Sequence, residues 1–428
     1  MRLNNPVVSF WLWASAIPAA VLPTVLFGSI AWRLRNVRLR PLSPGWFTSG
    51  VRAVKCGVTD NHGHSEWLPI RDAQKLFPGP DPIHGGVVVG EAYRVDQDRR
   101  VAGARFDPHN PKTWGRGGTA PLLIDPCTSG SGHSLVFAGT GGFKTVSAVS
   151  TALVWRGSSV ILDPSTELGP MLDSALRRQH KRVVHIGIPD GDSTRPAQTG
   201  FNVLGWIDTA HPEAETHVHS VVSWIYDESA AAMPTTAPGR AEDPFFGKQG
   251  RNLVTCLLAH LIWCDPRHVE ISLRTFVQAI ARPEDDMLDL LAHISAESYS
   301  LMARRLAATL MNCRAEETFS GIFLNATKGV EWLFATAYSD LVSGGDFDPR
   351  ELLIGNVTAF LNISLRTLET TPPIARVLVG ALLNAVYMAD GWTRGKVLFL
   401  LDEAARLGRM KALETARDTG RKYGVSLH

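Results

Sequence analysis

The chain has 428 residues, of which 45% are hydrophobic and 20% are charged, and its formal net charge is +2. This composition excludes an intrinsically disordered protein, and the length is enough for about two or three domains. The near-neutral charge excludes a uniformly basic surface for nucleic acid, and the five cysteines contain no C-x-x-C pair, so neither a zinc nor a disulfide framework is indicated.

An apolar segment opens the chain. No charged residue occurs from Leu3 to Trp32, and Val7–Trp32 is almost continuously apolar, with tryptophans toward its ends. About 20 apolar residues span a bilayer, and tryptophan favours the membrane interface. Residues 1–32 are therefore predicted to be an N-terminal transmembrane anchor. A cleaved signal peptide is the alternative, but the apolar run is longer than such a peptide needs.

Residues 33–105 are predicted to be a juxtamembrane basic segment and linker. Arginine and lysine residues follow the apolar run with no acid before Asp60, so the positive-inside rule places the rest of the chain in the cytoplasm. Histidine pairs in the chain lack partners at the spacing of a metal-ligand set, and we interpret them as solvated loop residues. These histidines are His62, His64, His217 and His219.

The segment Ser134–Thr145, with the sequence SLVFAGTGGFKT, predicts a short apolar strand, a glycine-rich turn and a helix that starts at Lys144. This is the layout of a P-loop, in which backbone N–H groups and a helix N-terminus bind phosphates. Lys144 would reach the terminal phosphates and Thr145 would hold Mg²⁺. Ala138 and Phe143 replace the two glycines of the usual pattern, so the segment alone is equally compatible with a strand-turn-helix that binds nothing.

Strand and helix patterns alternate after the P-loop. Ser158–Asp163 and Lys181–Gly187 are apolar runs typical of buried strands, and Glu167–Gln179 between them has helical periodicity. Alternation of this kind predicts right-handed crossovers and a parallel sheet. We assign residues 106–212 to the first part of a nucleotide-binding domain.

Residues 213–354 are predicted to form an all-α domain inserted into the α/β fold, because strand patterns largely disappear there. Ser272 and Pro283 are suitable helix starts. The segments with helical periodicity are Asn252–Trp263, Ser272–Ala281, Pro283–Ile294, Ser298–Leu310 and Glu316–Leu341.

The α/β pattern returns in residues 355–428, the second part of the nucleotide-binding domain. Thr358–Ser364 is strand-like, Pro373–Met388 is helical, and the buried-type strand that starts at Lys396 ends in Asp402 and Glu403. This is the Walker B pattern, in which Asp402 would hold the Mg²⁺ shell and Glu403 would polarise the attacking water. An ordinary strand that ends in acidic turn residues is the alternative. The pairing with an upstream P-loop favours a nucleotide hydrolase.

The last elements are a predicted helix, Arg406–Lys422, and the start of a further strand at Tyr423. A parallel sheet of this kind needs that strand complete. We therefore expect the sequence to be a fragment or a truncated gene product, with an incomplete second part of the nucleotide-binding domain.

Taken together, these motifs resemble the TraG-type coupling proteins of conjugative transfer and type IV secretion. The similarity covers most of the chain after the basic segment, and the form Gly-Gly-Phe-Lys-Thr in the P-loop resembles the TraG branch. The stretches that carry the resemblance are Phe106–Pro108, Thr113–Gly118, Gly132–Thr145, Leu162–Glu167, Thr371–Gly380 and Leu401–Gly424.

The resemblance implies a membrane-anchored, hexameric ATPase with a RecA-like P-loop NTPase fold, a parallel sheet and an all-α domain. Such a protein is held in the bacterial inner membrane with most of its chain cytoplasmic, binds ATP and Mg²⁺, and feeds relaxase-bound single-stranded DNA or protein cargo to components of the secretion channel. By motif, Lys144 and Glu403 are the catalytic residues, while Thr145 and Asp402 hold the metal. The nucleotide-binding residues are Gly139, Thr140, Gly141, Gly142, Phe143, Lys144 and Thr145. The roles of Asp163 and Glu167 stay open.

In a hexamer, an arginine from a neighbouring subunit would stabilise the transferring phosphoryl group, and Arg376 and Arg406 are candidates. The sequence departs from many relatives in having one predicted membrane helix instead of two, in having Ser165 and Thr166 in place of Lys-Gly, and in lacking a glutamine motif on the strand near Val425. A catalytically inactive membrane adaptor that binds nucleotide or partners without turnover is therefore the alternative function. An unrelated P-loop kinase would explain neither the anchor nor the helical insertion.

Overall fold

A computed structural model describes residues 70–91, 122–129, 132–139, 142, 144–189, 191, 195–226, 244–313, 315–345 and 347–428. The predicted anchor at residues 1–32, residues 33–69 and 92–105 of the basic segment and linker, the stretches within 106–118, and Thr140, Gly141 and Phe143 of the P-loop lie outside these ranges. Within them, no helix combines the length and the apolar character needed to cross a bilayer.

Five parallel strands form the central sheet of the described chain, in the order β4-β5-β3-β6-β7. At its centre, Ile161 of β3 pairs with Phe360 of β5 on one side and Leu400 of β6 on the other. The strands are β3 (Ser159–Leu162), β4 (Arg182–Gly187), β5 (Val357–Asn362), β6 (Val397–Leu401) and β7 (Val425–Leu427). The predicted parallel sheet is thus confirmed.

Alternate side chains of the strands pack on opposite faces of this sheet, as strand geometry requires. Ile161 joins a core with Trp155 and Leu172 on one face. Val160 joins the larger core on the other face, which includes Val218 and Leu378. Because both faces are covered, the strands read as continuous apolar runs, and this is why the sequence predicted them.

Most of the predicted helices begin and end close to the predicted positions, but the helix predicted from Asn252 begins at Pro244, and the segment Glu316–Leu341 is divided into two α-helices by a 3₁₀ turn. The helices are α1 (Ile70–Leu76), α2 (Lys144–Val154), α3 (Leu168–Arg178), α4 (Ala214–Ile225), α5 (Pro244–Ile262), α6 (Leu273–Ile280), α7 (Glu284–Glu297), α8 (Leu301–Met311), α9 (Glu316–Val330), α10 (Thr336–Leu341), α11 (Leu365–Thr370), α12 (Pro372–Tyr387) and α13 (Lys411–Thr419), with short 3₁₀ helices at Glu331–Phe334, Pro349–Ile354 and Ala404–Leu407.

Between β4 and β5 the described residues form helices and turns, without a strand of the central sheet. The side chain of Ser272 accepts a hydrogen bond from the N–H of Thr275 and caps α6, and Pro283 precedes α7. These helices share one hydrophobic core with the sheet. The proposal that residues 213–354 are a domain of their own stays a prediction.

A second, antiparallel pair of strands was not predicted. It consists of β1 (Val87–Glu91) and β2 (Leu122–Asp125), and Val87 packs in the same core as Trp155. Both strands lie in a region rich in glycine, proline and histidine, where the sequence lacks the alternating apolar and polar pattern that predicts a strand.

Two further predicted elements differ in the structure. The segment Ser134–Gly139 is irregular and exposed instead of a buried strand: Leu135 is 75% exposed and Phe137 is 89% exposed. The predicted helix Arg406–Lys422 is interrupted at Gly408, whose φ of 67° is left-handed, so that a 3₁₀ turn precedes a shorter α13. A single left-handed residue breaks the helical hydrogen-bond ladder, which the periodicity alone did not reveal.

Candidate functional site

A tight turn precedes α2 at the candidate P-loop. The N–H of Gly142 donates to the carbonyl oxygen of Gly139 across 2.9 Å. A Cβ atom at Gly142 would lie 2.9 Å from that same oxygen and 3.0 Å from the Cβ of Ala138, whereas a Cβ at Gly139 would meet open space. The turn therefore requires glycine at position 142. It lies just before the first turn of α2, where the N–H groups have no partner within the helix.

The segment that enters this turn runs beside β7. The N–H of Ser134 donates to the carbonyl oxygen of Leu427 across 2.9 Å, and the N–H of Leu427 donates to Nδ1 of His133 across 3.0 Å. The hydroxyl of Ser426 contacts the carbonyl oxygen of Gly132. Strand β7 has three residues. Beyond Ser134, the described part of this segment makes no further backbone hydrogen bond to β7, which is the physical reason that it is not a strand.

Lys144, the first residue of α2, meets the acidic pair that follows β6. Its Nζ atom lies 2.5 Å from Oε1 of Glu403 and 3.1 Å from Oδ1 of Asp402. Glu403 and Lys144 are 259 positions apart in the chain. The carboxylates hold the ammonium at the carboxyl edge of the sheet, where open α/β folds bind their ligands.

The charges of this group reinforce each other. The hydrogen bond from Lys144 lowers the pKa of Glu403, and the hydrogen bond to Glu403 raises the pKa of Lys144. All three side chains stay partly accessible, at 34%, 18% and 39% for Lys144, Asp402 and Glu403. The lysine is therefore charged and the glutamate ionised, and both can be reached by a ligand from solvent.

Glu403 has a left-handed backbone, with φ 57° and ψ 37°. Few residues other than glycine and asparagine adopt this conformation, and residues that do so often lie at functional sites. The N–H of Glu403 donates to Oδ1 of Asp402 across 3.1 Å. This turn directs the glutamate toward Lys144 immediately after β6 ends.

The stretch Leu162–Glu167, in which the sequence left the role of Asp163 open, has a structural function. Asp163 is fully buried, and its carboxylate accepts hydrogen bonds from the N–H groups of Leu168 and Gly169 and from the hydroxyl of Ser165. It thereby caps the N-terminus of α3. Glu167 is exposed and makes no side-chain cap.

The two candidate arginines lie in different surroundings. Arg376 is 3% exposed, and its guanidinium donates to the carbonyl oxygens of Trp224 and Ile225 at the end of α4. It joins α12 to α4 inside the core, so its guanidinium is not presented at the surface of this chain. Arg406 is exposed in the 3₁₀ turn after Glu403 and pairs with Glu369 across 3.1 Å.

A cleft of about 220 Å³ lies beside this edge, at the carboxyl ends of β4 and β5. Thr166, Arg195, Gln198 and Asn362 are among its lining residues. Sequence reasoning did not identify it, although the rule that ligands bind at the carboxyl ends of parallel strands points to this place.

The residues present fit a nucleotide with its metal. Lys144 stands at the N-terminus of α2, where phosphates bind, and Asp402 supplies a carboxylate oxygen of the kind that Mg²⁺ prefers. Thr145 lies in the first turn of α2 and is exposed.

Comparisons with known proteins agree with this geometry. Residues 84–428 match the family described as Type IV secretory system Conjugative DNA transfer. The probable conjugal transfer protein TraG of Sinorhizobium fredii is 41% identical over 370 residues, which cover 86% of this chain and 55% of that protein. The type IV secretion system-coupling protein VirD4 of Bartonella quintana is 38% identical over 409 residues, which cover 95% of this chain and 61% of that protein.

The fold has a solved counterpart. The plasmid coupling protein TrwB, in complex with the non-hydrolysable ATP analogue ADPNP, matches with a TM-score of 0.53 and 16% identity over 82% of this chain and 73% of that chain. This similarity shows the RecA-like P-loop NTPase fold with its parallel sheet. The chain spans 55% of the length of the TraG relative and 61% of the length of the VirD4 relative. By its match over residues 84–428, the chain belongs to the TraG-type coupling proteins of conjugative DNA transfer and type IV secretion.

Proposed function

We propose that this chain is the nucleotide-binding part of a membrane-anchored ATPase that feeds relaxase-bound single-stranded DNA, or protein cargo, to a type IV secretion channel during conjugative transfer. The observation that carries the proposal is the meeting of Lys144 with Asp402 and Glu403 at the carboxyl edge of the sheet. Membership in the coupling-protein family supports the cargo and the channel.

In this proposal the carboxylates occupy the position on Lys144 that phosphate oxygens take when ATP is bound. Lys144 then exchanges one set of anionic oxygens for another, and its raised pKa keeps it charged for both. Backbone N–H groups of the segment 139–145 would bind the phosphates. The exchange releases Glu403 from its ion pair.

The released Glu403 would then orient and polarise a water molecule, and Asp402 and Thr145 are the residues that would hold Mg²⁺. Bound Mg²⁺ neutralises charge on the phosphate oxygens. The left-handed turn at Glu403 supports this role, because a fixed backbone keeps the carboxylate in place after Lys144 moves away. Before ATP binds, the hydrogen bond from Lys144 lowers the pKa of Glu403 and keeps the carboxylate ionised.

Assembly completes the proposed mechanism. A homo-hexamer would place the nucleotide at subunit interfaces, where an arginine from the neighbour stabilises the transferring phosphoryl group. Arg406 remains the candidate because it is exposed near the site, whereas Arg376 is withdrawn because it is buried. DNA contacts would be made to the backbone without sequence preference.

The remaining parts of the proposal concern location and domains. Residues 1–32 would anchor the protein in the bacterial inner membrane, with 33–105 as basic linker and the rest in the cytoplasm. The nucleotide-binding domain would comprise residues 106–212 and 355–428. The helices of residues 213–354 would form the all-α domain that recognises relaxase or protein cargo.

Steady-state ATP hydrolysis by the full chain, with and without single-stranded DNA, tests this function. Lys144→Ala should remove turnover. Lys248→Ala replaces an exposed lysine on α5 and is the matched control, which should leave turnover unchanged.

Absence of Lys144-dependent turnover under both conditions would contradict the ATPase. Nucleotide binding that depends on Lys144 without any turnover would instead favour the inactive membrane adaptor.

A further inference from the structure

Three potential metal ligands lie together where the chain enters α4. His211 and Glu213 lie in the turn before the helix, and His217 lies in its first turn. One ligand atom from each residue lies within 4.8 Å of the ligand atoms of the other two. These residues lie outside the nucleotide site described above.

The ring of His217 is buried, and its hydrogen-bonding capacity is not satisfied. It is 7% exposed, and within the described part of the chain its buried Nδ1 atom has no hydrogen-bond partner. The rings of Trp206 and His211 pack against it, with centroids 4.9 Å and 5.2 Å away. A buried polar atom without a partner costs free energy, and a bound cation is one way to satisfy such a group.

We propose that His211, Glu213 and His217 bind a zinc ion. Two imidazoles and a carboxylate are a ligand set that zinc accepts, with a fourth position left for water or another ligand. Bonds of about 2.0–2.1 Å in a tetrahedron set the ligand atoms about 3.3 Å apart. In the structure the ligand atoms lie within 4.8 Å of one another. Small side-chain rotations of the exposed Glu213 and the half-buried His211 would bring them to the shorter spacing of a zinc site.

Binding rearranges one existing contact. Nδ1 of His211 accepts the N–H of Glu213 across 3.1 Å, and coordination through this atom replaces that bond. Glu213 is exposed, so water can accept its N–H instead. The positive end of the α4 dipole opposes a cation here, and the Glu213 carboxylate offsets this effect.

The three residues have the spacing H-x-E-x-x-x-H in the sequence, and this pattern is the signal that could have indicated the site. The interpretation of His217 as a solvated loop residue is wrong, since it is buried on a helix, whereas His219 is exposed on the same helix. A bound ion would hold the start of α4 to the preceding turn, while Arg376 holds its other end. The junction between the sheet and the following helices would then be fixed at both ends of one helix.

Cobalt substitution in the full chain tests the site. The protein is stripped with a chelator and titrated with Co²⁺, and its visible absorption reports four-coordinate metal. We expect one equivalent of Co²⁺ that Zn²⁺ displaces. His211→Ala and Glu213→Gln should each weaken Co²⁺ binding by at least about 10-fold, in line with the effect of disturbing a metal site.

His219→Ala is the matched control and should bind Co²⁺ as the unaltered chain does. Because His217→Ala removes a buried ring and could unfold the helix, the two more accessible ligands carry the test. Absence of four-coordinate Co²⁺ absorption in the unaltered chain would overturn the proposal. Equal loss of binding in His219→Ala and His211→Ala would overturn it as well.

Discussion

Glu403 combines three features at one residue: a left-handed backbone, an ion pair with Lys144 and a position directly after β6. The sequence predicted the acidic pair from its place after an apolar run. It did not predict the backbone conformation, because no residue-type preference favours glutamate at positive φ. The local turn is set instead by Asp402, which accepts the N–H of Glu403.

Replacing Glu403 with glutamine keeps the shape and removes the charge. We expect turnover of ATP to fall by about 10²–10⁴-fold, the range typical of a lost general base, while nucleotide binding persists. Glu297→Gln, at an exposed position on α7, should leave turnover unchanged. Turnover in Glu403→Gln equal to that of the unaltered chain would remove the glutamate from the mechanism.

Thr166 has a left-handed backbone, with a φ of 57°. The left-handed region costs a residue with a Cβ atom about 1–2 kcal/mol, and glycine removes this cost. Part of the resulting gain in stability is lost, because glycine has greater conformational freedom in the unfolded chain. We therefore expect Thr166→Gly to stabilise the protein by about 1 kcal/mol in denaturant unfolding. Thr166→Val keeps the branched side chain and should bring no gain. An unfolding midpoint for Thr166→Gly below that of the unaltered chain would contradict the strain at this position.

At the scale of elements, the sequence predicted the strands that are buried on both faces, since β3, β4 and β6 are continuous apolar runs. It missed β1 and β2, which are short and form a separate antiparallel pair outside the central sheet. It also predicted a strand at Ser134 from an apolar run. That run is exposed in the structure, because pairing along β7 decides strand formation there and pairing cannot be read from composition.

Helices α4 and α12 are joined by a buried arginine. Arg376 donates to two carbonyl oxygens of the last turn of α4, which have no partners within the helix itself. The sequence interpretation as a trans-acting arginine failed because α12 is buried almost all around, so that its polar residue points into the core instead of toward solvent.

Arg376→Met should destabilise the protein by about 1–3 kcal/mol, the cost of leaving buried polar groups without partners. Urea unfolding followed by circular dichroism measures this loss. Arg366→Met, at an exposed position on α11, is the control and should change little. An unchanged unfolding midpoint for Arg376→Met would show that the hydrogen bonds between Arg376 and the end of α4 are not needed for stability.

At the scale of the whole molecule, Lys181 links stability to pH. It is buried beside the carbonyl oxygen of Gly157, to which Nζ donates across 2.8 Å, and burial lowers its pKa from 10.5 to about 7. Between these values the unfolded chain binds the proton and the folded chain does not. Stability from this group therefore rises with pH from about 7 to about 10.5.

The expected size of this contribution is at most about 5 kcal/mol, since one pKa unit corresponds to about 1.4 kcal/mol. Lys181→Met should flatten the pH dependence of the unfolding free energy in that window and raise stability most near pH 7. Parallel pH profiles for Lys181→Met and the unaltered chain would contradict the buried, neutral lysine.

The candidate site itself is a property of the whole fold. Its two halves lie far apart in the chain, and the parallel order of the strands brings their carboxyl ends to one edge. For this reason Lys144, Asp402 and Glu403 could be predicted to meet from the sequence. The roles of Asp163 as a helix cap and Arg376 as a buried joint depend on packing, and the sequence did not disclose them.

Binding of a fluorescent ATP analogue to the full chain, measured with and without Mg²⁺, tests the central claim that Lys144 and Asp402 hold the nucleotide. The account predicts Mg²⁺-dependent binding that Lys144→Ala weakens by at least about 10-fold, the loss of one charge-assisted phosphate contact. It also predicts that Asp402→Asn removes the Mg²⁺ dependence, while Lys248→Ala binds normally. Binding by Lys144→Ala with the affinity of the unaltered chain would contradict it.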